Sequence, residues 1–425
     1  MEKHLIAGHM AENLVGSEII KLASEVKARI KEGQSIYNLT IGDYNPQVFP
    51  IPELLTEEIK KAYSQHLTNY PAGEGILPLR KAIKELIETE GNLQYSTNEI
   101  LVSAGSRPLI YAIYQVLLDP KDIVLYPVPS WNNNHYVHLT GCKGIEVETS
   151  AENNFLPVLK DLKKYLSKAS LIALCSPLNP TGTCFNKKNL GAICKAVVKE
   201  NEKRKEKGKK ALYIMYDQIY WGLASKKSEH VDPVSLYPEL RDYTIYIHGI
   251  SKIFAGTGVR VGWAWGPQKI ISKMKSLLSH VGAWAPKAEQ HATSVFLNDT
   301  KAVKDYLKWI NAEISFRLEG FYEGFEKMKK NGLPVDALKP QGAIYLTVLI
   351  DVIGYKTKNN IAIENHADVT KFLLEEAHVA LVPFSAFGSK TKKSWYRLSV
   401  GTCKREDIDA VLKNIKEAIL SLKKV

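Results

Sequence analysis

The sequence predicts an α/β fold whose larger part is a mostly parallel sheet covered by helices on both faces. Three observations carry that expectation. Short strand-like runs recur between turn residues, several of them are apolar almost throughout, and longer amphipathic stretches separate them. A strand that alternates apolar and polar residues has one wet face, whereas one that is apolar throughout is covered on both. At 425 residues the chain also exceeds the ~250 to 300 at which a single core stops growing, so at least two cores are expected.

The elements follow in order. "GILPLRKAIKELIETEG" has helical spacing, "EILVSAG" reads as the first strand, and "SRPLIYAIYQVLL" restarts a helix right after a Gly-Ser turn. Six further strands are expected at "DIVLYPVP", "KGIEVETS", "SLIALCSP", "ALYIMYD", "TIYIHGI" and "RVGWAWGP". Beyond them the character changes. A long amphipathic helix from about Ala302 to Lys330 precedes "GAIYLTVLIDV", a helix near "DVTKFLLEEAH", then "VALVPFSAFG", "WYRLSVG" and a closing helix. Strands set between helices suggest a smaller α+β domain built from the C-terminal region and the N-terminal arm. The expected division is 1–50 for the arm, 51–325 for the large cofactor-binding domain and 326–425 for the small domain. No repeat of fixed period and no low-complexity tract is present.

Composition narrows the function classes. An apolar fraction of 45% and a charged fraction of 24% are ordinary for a globular protein. The N-terminal stretch carries acidic residues and no unbroken apolar run, and no segment approaches the ~18 apolar residues of a membrane span, so the expectation is a cytoplasmic protein with no membrane partner. The five cysteines are scattered without CxxC or His-paired spacing, which predicts reduced thiols and no metal site. The net charge of +12 gathers partly in "VKENEKRKEKGKK", residues 198–210. Lysine mixed with glutamate at helical spacing reads as a solvated face, and no aromatics interleave as they do in nucleic-acid patches.

The unusual residues sit at strand ends, where ligands bind in an open α/β sheet. Asn179 follows "SLIALCSP"; Asp217 closes "ALYIMYD", with Tyr220 three residues on; Ser251 and Lys252 follow "TIYIHGI", and Arg260 opens the next run. Gly105, Ser106 and Arg107 follow "EILVSA", where backbone N–H groups would face outward from a helix N-terminus. Singly, Asn179 is a turn residue and Asp217 a helix cap. "GTGVRVG" lacks the GxGxxG spacing and precedes a strand, which excludes a dinucleotide fingerprint. Together, a lysine able to form a Schiff base, a buried-strand aspartate, an arginine and a helix N-terminus are the groups pyridoxal phosphate requires.

Over almost its whole length the chain resembles the fold type I, class I/II aminotransferases of the aspartate aminotransferase superfamily. The blocks that carry the resemblance are "LTIGDYNP", "NYPAGEG", "LVSAGSRPL", "PSWNNNHY", "SPLNPTG", "YDQIY", "SKIFAGTGVRVGW", "PQGAIYLTV" and "YRLSVGT", in matching order and spacing. The resemblance implies a pyridoxal 5'-phosphate enzyme moving an amino group between an L-amino acid and a 2-oxo acid by a ping-pong Schiff-base mechanism. It makes Lys252 the Schiff-base lysine and proton carrier, sets Asp217 beside the ring nitrogen, and gives the 3'-oxygen to Tyr220 and Asn179. Trp131 would stack on the ring. Ser251, Arg260 and the amides of Gly105, Ser106 and Arg107 would hold the phosphate, and Arg397, helped by Gly42, the substrate α-carboxylate. It also implies a homodimer with shared sites, Tyr70 reaching the phosphate of the partner's cofactor.

This chain departs from the family pattern in places. Gly249 stands where a second hydroxyl residue is common, Arg107 where glutamine is frequent, and Ser106 where some acid-specific members carry a lysine for the distal carboxylate. C–S lyases and cyclopropane-forming synthases share most of these residues. A cofactor-sensing regulator would need a DNA-binding domain, but fewer than forty residues precede "LTIGDYNP" and they hold no helix-turn-helix pattern.

Overall fold

All seven strand-like runs enter one sheet. The computed structural model describes residues 7–225, 228 and 230–424. Its large sheet comprises β1 (Ile100–Ser103), β2 (Ile123–Val128), β3 (Lys143–Glu148), β4 (Leu171–Cys175), β5 (Tyr213–Asp217), β6 (Thr244–Gly249) and β7 (Gly262–Trp265), in the order β1-β7-β6-β5-β4-β2-β3. Only β7 runs against its neighbours. The apolar runs are explained by two cores, one on each face. Ile172, Leu174, Ile214 and Tyr216 belong to one, while Leu171, Ala173 and Met215, their alternates along the same strands, belong to the other. β3, at the edge, is the exception, with Val147 its one buried residue.

Helices cover this sheet and lead into the second unit. They include α1 (Glu18–Lys31), α2 (Glu53–Ser64), α3 (Leu77–Gly91), α4 (Ser106–Leu117), α5 (Lys187–Glu206), α6 (Gln268–Val281), α7 (Lys287–Asn298), α8 (Thr300–Lys330), α9 (His366–Glu375) and α10 (Asp407–Leu420). α8 begins two residues earlier than its periodicity suggests, because the Asp299 carboxylate accepts the Ala302 N–H and caps it. An antiparallel sheet follows, of β8 (Val335–Ala337), β9 (Tyr345–Ile350), β10 (Val382–Pro383) and β11 (Trp395–Ser399), ordered β10-β11-β9-β8. Tyr37–Asn38 pairs in parallel with Val379–Ala380, which ties the N-terminal arm to this C-terminal region. The basic 198–210 stretch closes α5 and is mostly exposed. Arg204 is not: it is buried, bonding Glu200 and the carbonyls of Leu166 and Lys210.

Three glycines set the depth of what lies beyond the strand ends. Gly249 and Gly262 face each other across β6 and β7, and a Cβ on Gly249 would stand 2.8 Å from the Gly262 Cα. A Cβ on Gly262 would stand 2.5 Å from the carbonyl carbon of Gly105 and 2.6 Å from the Ser106 nitrogen. Backbone therefore packs on backbone, and the N-terminus of α4 sinks onto the sheet. Gly105 itself has φ +87°, in the range glycine adopts without strain. The absence of a hydroxyl at 249 has this packing as its physical reason.

Candidate active site

The carboxyl ends of β2, β4, β5 and β6 open into a cavity of about 570 Å³. Lys252 reaches it from the short turn Ile250–Ile253, which follows β6 directly and buries Ile250 and Ile253 beneath it. The amine donates to the Gly42 carbonyl at 2.6 Å, and the Tyr44 hydroxyl donates to the Lys252 carbonyl at 2.7 Å. Burial pushes the lysine pKa down to about 8; Asp43 opposes this, and Arg397, Arg107 and Arg260 add to it. A lysine so placed holds a substantial fraction of neutral, nucleophilic amine near neutral pH.

Asp217 closes β5 and turns its remaining surface to the cavity. Burial raises its pKa to about 6, against the N–H of Ile219, which donates to Oδ1 at 3.1 Å. That is a carboxylate suited to a cationic partner. Nearby, the hydroxyls of Tyr220 and Tyr345 lie 2.6 Å apart, and the Asn179 amide donates to the Tyr220 oxygen at 3.5 Å.

Arg397, on β11, is 1% exposed. Its Nη1 donates to the Asn179 side-chain oxygen at 3.1 Å and Nη2 to the Thr40 carbonyl at 2.5 Å, while the rings of Tyr345 and Phe387 flank its guanidinium. Its Nε is buried with no partner. A guanidinium held in place with an unmet donor is prepared for a carboxylate.

Arg260 lies two residues before β7, in a left-handed conformation at φ +61°. It donates to the carbonyls of Thr257 and Ala104, both at 2.8 Å, and it lies where a side chain on Gly105 would stand. The first turn of α4 starts there, at Ser106 and Arg107, and a helix leaves its first amides unpaired and carries positive potential at that end. Buried Ser251 adds a hydroxyl. Five cations, Lys27, Arg107, Lys252, Arg260 and Arg397, thus border a cavity whose carboxylates are Asp43 and Asp217.

These residues fit pyridoxal phosphate. The helix start with Arg260 suits a phosphate, Asp217 a protonated ring nitrogen, and Lys252 an aldehyde. Trp131 forms another wall, with the Arg107 guanidinium 5.3 Å from its ring centroid. Of the residues singled out from the sequence, the structure brings Gly42, Gly105, Ser106, Arg107, Trp131, Asn179, Asp217, Tyr220, Ser251, Lys252, Arg260 and Arg397 to this one place. It does not bring Tyr70, which is 82% exposed and packs on the edge of Trp284.

Sequence reasoning missed Tyr345, Tyr44, Thr40 and Asp43. Each lies inside a block already singled out, or next to one of its residues, but only the fold shows which of them face inward. It also missed α1, whose Ile19, Ile20 and Ala23 form part of the cavity wall.

The comparisons agree with this geometry. The family described as Aminotransferase class I and II matches residues 34–415. An aspartate aminotransferase of Bacillus sp. (strain YM-2) is 30% identical over 387 residues, covering 90% of this chain and 91% of its own. Among solved structures, the aspartate aminotransferase of Rhizobium meliloti superposes with a TM-score of 0.89 at 26% identity, covering 99% of this chain and 100% of its own. An aromatic aminotransferase from Pyrococcus horikoshii OT3 does so with a TM-score of 0.80 at 28% identity, covering 92% and 98%.

Proposed function

The chain belongs to the aminotransferase class I and II family and is a pyridoxal-phosphate-dependent aminotransferase; from that premise we propose how its own residues divide the work. The observation that carries the assignment is Lys252, whose amine burial brings to a pKa of about 8, lining the same cavity as Asp217 and three arginines. Bound there, pyridoxal phosphate supplies an aldehyde that captures the amino group and a conjugated ring that takes up the electron pair left when the α-proton departs. Asp217 keeps the ring nitrogen protonated. Tyr220 and Asn179 hold the 3'-oxygen, with Tyr345 orienting the Tyr220 hydroxyl. Arg260, Ser251 and the first amides of α4, from Gly105 to Arg107, hold the phosphate, and Trp131 covers the ring. Nζ of Lys252, released from Gly42, takes the proton from the donor Cα and delivers it in the second half of the transfer.

Arg397 reads the α-carboxylate through its free Nε, helped by the Gly42 backbone. One relative is named for aspartate and one structural neighbour for aromatic amino acids, and the α-carboxylate is what such donors share. Mixing the loaded protein with an amino acid should convert the cofactor absorbance to that of the amine form, and 2-oxoglutarate should restore it. A protein that instead released ammonia, sulfide or a cyclised product would be a lyase or synthase on the same fold.

The remaining assignments are coarser readings of the same kind. Residues 51–325 act as the cofactor-binding domain, while 326–425 with the arm 1–50 act as a small domain, which the pairing of Tyr37–Asn38 with Val379–Ala380 supports. The protein works as a cytoplasmic homodimer. Among the described residues no helix is long and apolar enough to cross a membrane, and Tyr70 is among the large apolar side chains the single chain leaves exposed, of the kind that a second copy would cover.

A further inference from the structure

We infer that Tyr44 is a positioning residue for the proton-carrying lysine: its hydroxyl anchors the Lys252 carbonyl, so that the backbone stays in place while Nζ leaves Gly42 and swings to the donor Cα. The inference rests on the aminotransferase reading and adds a residue to its machinery. Residues 42–44 grip Lys252 at both ends. The Gly42 carbonyl accepts from the amine at 2.6 Å, and the Tyr44 hydroxyl donates to the Lys252 carbonyl at 2.7 Å. The first bond has to break in every cycle, whereas the second can persist throughout.

Lys252 needs such an anchor because its own turn is too short to supply one. Ile250–Ile253 is a single helical turn, and the last carbonyls of a helix find no partner within it. The chain leaves the turn at once, with Ala255 left-handed at φ +49°. The Ala255 N–H reaches the Lys252 carbonyl only at 3.5 Å, the far limit of a hydrogen bond. Tyr44 makes up that deficit from 208 residues away. Burial pushes the Tyr44 pKa well up, so the hydroxyl remains a donor across the neutral range.

The anchor is itself fixed. Tyr44 is buried, with its ring edge-on to Phe49 and the centroids 5.2 Å apart. Its own N–H donates to the Asp43 carboxylate at 2.8 Å, the Asn45 N–H to the Gly401 carbonyl at 2.9 Å and the Ser399 hydroxyl to the Ile41 carbonyl at 2.7 Å. A Cβ on Gly401 would overlap the Asp43 carbonyl, so backbone lies on backbone there too. Residues 41–45 thus take their position from β11, the strand that carries Arg397, and from the turn after it. The lysine that moves the proton and the arginine that reads the α-carboxylate are tied to one support, which sets the Cα of a bound donor against Nζ.

The test is Tyr44→Phe, which keeps the ring and deletes the hydroxyl, with Tyr306→Phe as control. The Tyr306 hydroxyl makes a bond of the same kind, to the Pro50 carbonyl at 2.8 Å, and its ring joins the same chain of aromatic contacts through Trp309 and Phe49. In the cofactor-free proteins the Lys252 amine is titrated by NMR after labelling lysine with 13C at Cε, its resonance identified by its loss in Lys252→Met. In the loaded proteins the half-reaction is followed with aspartate and with aspartate deuterated at Cα, and cofactor retention by gel filtration. Without the anchor the amine gains access to water, so its pKa should rise from about 8 toward the ordinary lysine value of ~10.4. One net hydrogen bond predicts proton transfer slower by roughly two- to tenfold, with a larger isotope effect and with KM and cofactor retention near wild type. An unchanged lysine pKa and isotope effect would overturn the inference. Equal changes in Tyr306→Phe, or a raised KM with cofactor loss, would overturn it too, by making Tyr44 a prop for the arm alone. If the wild type converted no amino acid, the aminotransferase reading would fall, while the NMR titration would still decide whether Tyr44 holds the lysine.

Discussion

At the scale of single residues, the site holds charged groups that its own fold makes uncomfortable, and this gives stability signatures independent of turnover. Lys252 has its pKa pushed down to about 8 by burial, so between about pH 8 and the unfolded value near 10.4 the unfolded chain binds more protons. Stability of the cofactor-free protein from this group therefore rises with pH across that window. Lys252→Met should be more stable than wild type at pH 7, and the gap should narrow toward pH 10 in urea melts. A gap independent of pH would show that the amine is solvated. Asp217 runs the other way. Its pKa rises to about 6, so the folded state binds more protons between about pH 4 and 6 and stability falls as pH rises through that range. Asp217→Asn should stabilise the cofactor-free protein at pH 7 by at most about 3 kcal/mol, two pKa units at about 1.4 each. The same substitution should slow transamination by about 10² to 10⁴, since losing one partner of a buried pair costs roughly 3 to 5 kcal/mol. Lys252→Ala should lose at least the roughly 10² to 10⁴ that proton transfer contributes. These residues were legible because strand ends and turn residues flank them; Tyr345 was not, since an aromatic inside an apolar strand reads as core.

Among the elements, six of the seven strands of the large sheet were legible for one reason, the mostly exposed edge strand β3 being the exception. Burial on both faces removes polar residues from a strand, and the resulting apolar runs, bounded by Gly, Pro, Asp and Ser, have no competing helical reading at such length. Strand order was not legible, because pairing depends on contacts far apart in sequence. Nor was the start of β7, which Arg260 opens in the sequence reading but precedes by two residues in the structure, where its left-handed backbone carries the side chain to the Ala104 carbonyl ahead of α4. The glycine trio is the element-scale device that the sequence conceals. Gly262→Ala places a methyl 2.5 to 2.6 Å from backbone atoms of Gly105 and Ser106, and no side chain is available there to move aside. The expected result is overpacking of about 1 to 3 kcal/mol with weaker cofactor retention, because the helix start that receives the phosphate must lift. Alanine at Gly16, where nothing lies within 4 Å and the backbone is not left-handed, is the control for general loss of a glycine. If Gly262→Ala bound cofactor as tightly as wild type, the close packing would not be what sets the anion site.

For the whole molecule, the question is whether one chain makes a complete site. Tyr70 is where the single chain and the expected role disagree: 82% exposed, outside the cavity, resting on Trp284. Its loop is nonetheless held firmly. Lys287 donates to Asn69 at 2.7 Å, a Cβ on Gly73 would stand 2.9 Å from the Ser279 hydroxyl, and Gly75, at φ +94°, lies against Val102. A large aromatic presented outward on a pinned loop suits contact with a second copy. A two-fold axis makes the exchange reciprocal, each subunit lending its tyrosine to the other. Lys252→Ala and Tyr70→Phe are each expected to be impaired, the second about ten- to a hundredfold for one charge-assisted bond. Unfolded together and refolded, they should form mixed dimers in which one site carries both lesions and the other carries neither. Random pairing makes half the dimers mixed with half their sites intact, so about a quarter of wild-type activity should return. If Tyr70 serves its own subunit, every site keeps one lesion and mixing restores nothing. That outcome, or full activity from a species that light scattering shows to be a monomer, would confine the site to a single chain.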